Sequence, residues 1–146
     1  MKRGLILVNA FSPVVKTRQA SRLAEELTAR GVAVTVRRND LFSLSVTDGR
    51  TVGDADCDFC VYLDKDKYVA EMLERTGVRL FNSARAVELC DDKMTTHIAL
   101  SDSGIPMPDT LPGLLCYDKT AVVPAAAIDR VENRLGYPVI VKLSYG

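Results

Sequence analysis

Two lysines stand where a cation has chemistry to do. Lys142 ends the apolar run Val139-Ile140-Val141. A lysine on an otherwise apolar strand requires an anionic partner, because an unpaired buried ammonium is strongly destabilising. Nucleotide phosphate is one such partner; an edge strand with Lys142 in solvent is the plain alternative. Lys93 follows Asp91-Asp92 near a helix start, where a lysine works against the helix dipole. An anion bound at that helix end reverses the sign. Taken alone, Lys93 reads as a surface lysine.

A second polar group lies near the amino terminus. Asn9, Ser12 and Arg18 follow an apolar run, Gly4-Leu5-Ile6-Leu7-Val8, at the carboxyl end of a strand, where open sheets place ligands. Asp64, in Asp64-Lys65-Asp66-Lys67, follows another strand at the same edge. These residues suit a polar substrate. A capped turn and a solvated loop with local ion pairs are the alternatives.

Other chemistries lack their residues. The turn Asn9-Ala10-Phe11-Ser12-Pro13 has no glycine, so a dinucleotide fingerprint is absent there. Neither GxxxxGK[ST] nor GxSxG occurs, and His97, the single histidine, sits in a helical stretch, which argues against a Ser-His-Asp triad. Cys57 and Cys60 form a CxxC that enters a strand, and residues three apart on a strand face opposite ways. With no second pair at zinc spacing, the cysteines read as reduced thiols of a cytoplasmic protein, and no metal ligands are expected within the chain.

The elements follow from hydrophobic period. Residues 4–9 form a first strand, apolar on both faces as in a covered parallel sheet. Ala20, Leu23, Ala24 and Leu27 mark one face of a helix over 17–30, closed by Gly31. Residues 32–36 form a second strand, completing a βαβ unit. Strands are expected over 58–63 and 78–81, with a helix over 67–75 stopped by Gly77. Leu44 and Val46 suggest a short edge strand before an Asp48-Gly49 turn. Ser83 caps a helix to about Cys90, and Asp91 or Asp92 caps another to about Ser103. Ile105-Pro106-Met107-Pro108 is extended. A short strand over 114–117, a helix over 125–135 and a final buried strand from Pro138 complete the reading.

The charge balance, 19 Lys+Arg against 19 Asp+Glu, gives no field favouring nucleic acid or an anionic membrane. No apolar stretch is long enough for a membrane span. The proline-rich segment marks a domain change near 90–105, dividing the chain into 1–92 and 93–146.

Four motifs in order carry a resemblance: Phe81-Asn82-Ser83-Ala84, Cys90-Asp91-Asp92-Lys93, Gly104-Ile105-Pro106-Met107-Pro108-Asp109-Thr110 and Gly136-Tyr137-Pro138-Val139-Ile140-Val141-Lys142. Together they resemble the opening of an ATP-grasp ligase, in particular its RimK-like branch. The first 77 residues resemble more loosely the pre-ATP-grasp domain that precedes these motifs. The fold class implied is α/β: an open parallel-sheet, Rossmann-like pre-ATP-grasp domain, then the first, incomplete part of an ATP-grasp domain.

The resemblance implies that Lys93 and Lys142 contact ATP, and that Ser144-Tyr145-Gly146 opens the mobile glycine-rich loop over the phosphates, which brings Ser144 and Gly146 to the nucleotide. It implies Mg2+ whose ligands, like the catalytic residues, lie beyond Gly146. It also implies small-molecule or peptide carboxylate and amine substrates joined through an acyl phosphate. The chain is then expected to stop inside a domain and to be inactive alone. Residues 105–146 are expected to expose apolar edge and to be poorly ordered, or to be ordered by pairing with a second copy as a homo-oligomer. The alternatives are a non-catalytic βαβ module for ligand binding or dimerisation, and a small independent enzyme using Asp64 and Asp66.

Overall fold

The computed structural model describes residues 1–12 and 14–145. It divides into two compact units, Met1–Glu88 and Leu89–Gly146.

The first unit is built on strand β1, Arg3–Val8, which is buried from Gly4 onward. It pairs in parallel with β2, Ala33–Arg38, on one side and with β5, Phe59–Tyr62, on the other. β6, Arg79–Phe81, extends the sheet beyond β5, giving the order β2-β1-β5-β6, all parallel. Alternate β1 side chains feed two cores, as the pleat requires. Ile6 and Val8 pack with Ala20, Leu23, Ala24 and Leu27 of helix α1, Val14–Ala29. Leu5 and Leu7 pack with Cys60, Tyr62 and Leu80, and with Ala70 and Leu73 of helix α2, Lys67–Arg75. Each face of the sheet is thus covered by a helix, the arrangement expected from the alternation of strands and helices.

Local signals set the element ends. Gly31 and Gly77 stop α1 and α2 at φ of 79° and 87°. Asp66 caps α2 by accepting from the Tyr68 and Val69 amides at 3.0 and 3.2 Å. The edge strand expected near Leu44 is instead half of a separate hairpin: β3, Leu44–Thr47, pairs antiparallel with β4, Arg50–Gly53. Asp48 and Gly49 both have positive φ, 49° and 71°, as a two-residue type I′ connection demands. The hairpin's Leu44, together with Phe42, joins the α2-side core.

Helix α3, Ala84–Asp91, begins at Ser83, whose hydroxyl accepts from the Ala86 amide at 3.2 Å. In the second unit, helix α4, Lys93–Leu100, is capped by Asp92 and ends three residues short of the expected Ser103. Helix α5, Ala125–Leu135, closes at Gly136 as expected.

Two expected strands of this unit do not form. Residues 114–117 and 138–143 join no ladder. Their backbones are strand-like in composition, yet a strand exists only through a hydrogen-bonded neighbour. Ile140, Val141 and Leu143 are therefore 85%, 91% and 83% exposed. Lys142 among them is exposed rather than buried, which removes the argument that burial alone demands a counter-charge there. The apolar surface expected over 105–145 is present, with Ile105, Leu115, Tyr117 and Val122 also open to solvent.

Candidate functional site

The second unit holds a cavity of about 500 Å³, a size suited to a small-molecule ligand. Lys93, Met94 and His97 of α4 form one wall. The extended segment 108–113 forms another, and Pro138 to Ser144 forms the third, with Leu135 at the end of α5. Lys93 therefore shares one cavity with Lys142 and Ser144, which lie far along the chain from it. Gly146, expected beside them, lies outside the described residues, as does Pro13 of the first turn.

The amino end of α4 organises this cavity. Asp92 accepts from the Thr95 amide at 2.7 Å. Its carboxyl is held below the usual carboxylate range chiefly by that bond. The Thr95 hydroxyl, the Met94 amide and the Tyr145 hydroxyl contribute further, against the opposing effect of desolvation. The anion at this helix end is thus Asp92 itself. The Lys93 amide, another of the donors that a helix start leaves unpaired, donates to the Ser144 carbonyl at 3.0 Å. Asp92 and Tyr145 form an antiparallel bridge beside it. The segment bearing Lys142 is so fastened to the start of the helix bearing Lys93. His97, one turn along α4, places Nδ1 2.8 Å from the Lys93 carbonyl.

Two cations beside apolar Leu111, Leu135, Val139 and Ile140 make a lining that fits a polyphosphate attached to a flat, weakly polar group. Magnesium is another matter. Among the described residues Asp109 is the only carboxylate on the lining, and no group of three or more His, Cys, Asp or Glu is placed to hold a metal. These residues do not by themselves make a magnesium site.

The first unit carries the other polar cluster. The strand order reverses between β1 and β5, and the residues following those two strands meet there. The Asn9 side-chain Nδ2 donates to Asp64 at 2.7 Å, and the other Asp64 oxygen accepts from the Lys65 backbone amide at 2.8 Å. Asn39, following β2, accepts from the Ala10 amide at 2.8 Å. The Ser12 amide donates to the Asn9 carbonyl, while the Ser12 hydroxyl is buried with no hydrogen-bond partner among the described residues. Asn9, Ser12 and Asp64 are brought together. Arg18, exposed on α1, bonds to none of them. Tyr62 stays protonated beneath this edge: burial first, then Asp64 and Asp66, push its phenol up, and it donates to the Asp66 carbonyl at 3.1 Å.

No protein-family profile matches the chain. Comparison with known proteins gives a consistent picture all the same. A glutamate–LysW ligase of Sulfolobus acidocaldarius is 34% identical over 79 residues, 54% of this chain and 25% of that protein. The human N-acetylaspartylglutamate synthase A is 38% identical over 88 residues, 59% of this chain and 20% of that protein. A RimK-domain ATP-grasp protein of Sphaerobacter thermophilus superposes with a TM-score of 0.65 at 21% identity, over 93% of this chain and 48% of that one. The likeness is to RimK-like ATP-grasp ligases. A D-alanine–D-alanine ligase of Aeromonas hydrophila shares the fold at a TM-score of 0.56 and 23% identity, over 90% of this chain and 59% of its own. The α/β class and parallel sheet expected from the sequence agree with these ATP-grasp folds. The chain spans about a quarter of the length of the curated relatives it matches. Among the described residues no helix is long and apolar enough to cross a membrane.

Sequence reasoning missed several cavity residues. Asp109 and Leu111 lie in an extended stretch with no period to mark a face. His97 had one usable signal: it falls four residues after Lys93, on the same side of a helix.

Proposed function

We propose that this chain forms the first wall of the nucleotide site in an ATP-dependent carboxylate–amine ligase. The observation that carries the reading is the convergence of Lys93 and Lys142 on one cavity. In this reading ATP supplies the phosphoryl group that converts a carboxylate to an acyl phosphate, and an amine then displaces phosphate to give an amide. Lys93 and Lys142 neutralise the polyphosphate, which is much of what phosphoryl transfer asks of a protein. Ser144 and Gly146 belong to the loop that covers it. Asn9, Ser12 and Asp64, with Arg18 nearby in sequence, face the acid or amine at the reversal point of the sheet; the buried Ser12 hydroxyl, without a partner among the described residues, supports that assignment. Magnesium would need oxygen ligands in addition to Asp109, since the described residues place no group of three or more ligands together. The names of the relatives, one joining glutamate to LysW and one making N-acetylaspartylglutamate, support small or peptide-like carboxylate and amine substrates.

Residues 1–146 alone then bind Mg-ATP only weakly and turn nothing over. An NMR titration tests this. Changing Lys93 and Lys142 together to Met should weaken Mg-ATP binding by about tenfold to a hundredfold, since a charge-assisted contact is worth about 1.5–3 kcal/mol when shielded and less when exposed. Unchanged affinity in the double variant would refute the reading and favour a non-catalytic βαβ module. Micromolar affinity of the unaltered chain would refute the incompleteness of the site.

A further inference from the structure

We infer that His97 is a third contact for the anion in this cavity, one that makes binding depend on a proton. The inference rests on the reading that the cavity takes the polyphosphate of Mg-ATP.

The geometry fixes the chemistry of the ring. Nδ1 lies 2.8 Å from the Lys93 carbonyl. A carbonyl oxygen only accepts, so Nδ1 carries the hydrogen. The neutral ring then has its lone pair on Nε2. Among the described residues Nε2 has no hydrogen-bond partner, and the ring lines the cavity with Lys93 and Lys142. A lone pair cannot bond to a phosphate oxygen. Only a protonated Nε2 donates to it. An anion in the cavity and a proton on Nε2 therefore favour one another.

The surrounding charges sharpen this linkage. Lys93 on α4 and Lys142 on the 138–144 segment both repel a third positive charge. Among the described residues Asp109 on the 108–113 segment is the only negative side chain on the lining, and α5 contributes only Leu135. An incoming polyphosphate offsets the repulsion from both lysines at once. The Nδ1 bond also anchors the ring to the residue whose side chain it assists, since the carbonyl it holds is that of Lys93.

The test uses the fact that His97 is the only histidine of the chain, so the Hε1 proton of its ring gives one unambiguous NMR signal. The chain and its His97→Gln variant are titrated with Mg-ATP at pH 6 and at pH 8. Gln retains a donor and an acceptor but does not titrate, and far-UV circular dichroism checks that the variant is folded. The expected result is that the ratio of affinities, pH 6 over pH 8, is about threefold to tenfold larger in the unaltered chain than in His97→Gln. The His97 ring signal should also move toward its protonated position on binding at pH 8. The variant removes the ionisation of ATP itself from the comparison, because that contribution is common to both proteins. Equal ratios in the two proteins, with binding still lost on changing Lys93 and Lys142, would overturn the role of His97 and leave the nucleotide reading standing. Binding that neither the lysine nor the histidine changes affect, or no binding at any concentration, would overturn both.

Discussion

Cys60 offers the sharpest check on how the first unit is built. It sits in the middle of β5, fully buried, in the core shared with Leu5, Leu7, Leu73 and Leu80. Burial, with a smaller effect of Cys57, pushes its thiol up to about 12. Alkylation proceeds through the thiolate. At pH 8 a thiol of that kind is about one part in ten thousand thiolate, against roughly a quarter for an ordinary cysteine near 8.5. The difference is about three orders of magnitude in rate before steric access is counted. Cys90 and Cys116 are exposed, and Cys57 is half-buried, its thiol raised by burial and then by Asp58 and Asp56. Treatment with iodoacetamide at pH 8, followed by peptide mass spectrometry, resolves all four. Cys90 and Cys116 should react first, Cys57 later, and Cys60 at least about a thousandfold more slowly until urea unfolds the sheet. Labelling of Cys60 within tenfold of Cys90 in the folded protein would show that the β1–β5 core is open, and the reasoning about two covered faces would fail.

Three further outcomes follow from the same contacts. Leu73→Ala removes the one fully buried leucine of α2 and should destabilise the first unit by about 2–5 kcal/mol in urea denaturation; a loss under about 1 kcal/mol would contradict its central position. Gly49→Ala places a side chain at φ of 71° in the hairpin turn and should cost about 1 kcal/mol, read as a lower urea midpoint. Asp92 has its folded carboxyl below the unfolded value of about 3.9, so its capping contribution is complete above that pH and vanishes as the pH falls through the lower folded value. The Thr95 amide resonance should shift in that acid window, and Asp92→Asn should abolish the shift while keeping the cap.

How much of this was legible depended on where each signal resides. β1 and β5 were readable because a strand packed on both faces is apolar along its length, and β2, an edge strand, through its short β-branched run Val34-Thr35-Val36 after the Gly31 stop. α1 and α2 were readable because one face of a helix repeats every three or four residues. The hairpin was half-visible. Asp48-Gly49 announced the turn, but β4 contributes only Val52 as a bulky apolar residue, so its identity comes from the main-chain bonds it makes with β3. The stretch Val139–Leu143 misled for the converse reason: its composition suits a strand, and pairing, which is non-local, decides. The cavity shows the same division. Lys93 and Lys142 stood out through motif resemblance, whereas Asp109 and Leu111 become lining residues only when three separated segments are folded together. The meeting of Asn9 with Asp64 was half-anticipated, since both follow strands at one edge; the neighbourhood of β1 and β5 that joins them is a matter of strand order.

Because the Lys93 amide is tied to the Ser144 carbonyl, the span between the two cationic anchors is set by main chain rather than by side chains. Exchanging either lysine for a neutral residue changes the charge and leaves that span alone. The opposite lesion is also available. Proline is welcome at the first position of a helix in general, yet Lys93→Pro would sever the tether as well as remove the charge, letting the two strips of backbone drift apart. The vulnerability of this cavity therefore lies in a peptide nitrogen that no inventory of side chains would flag.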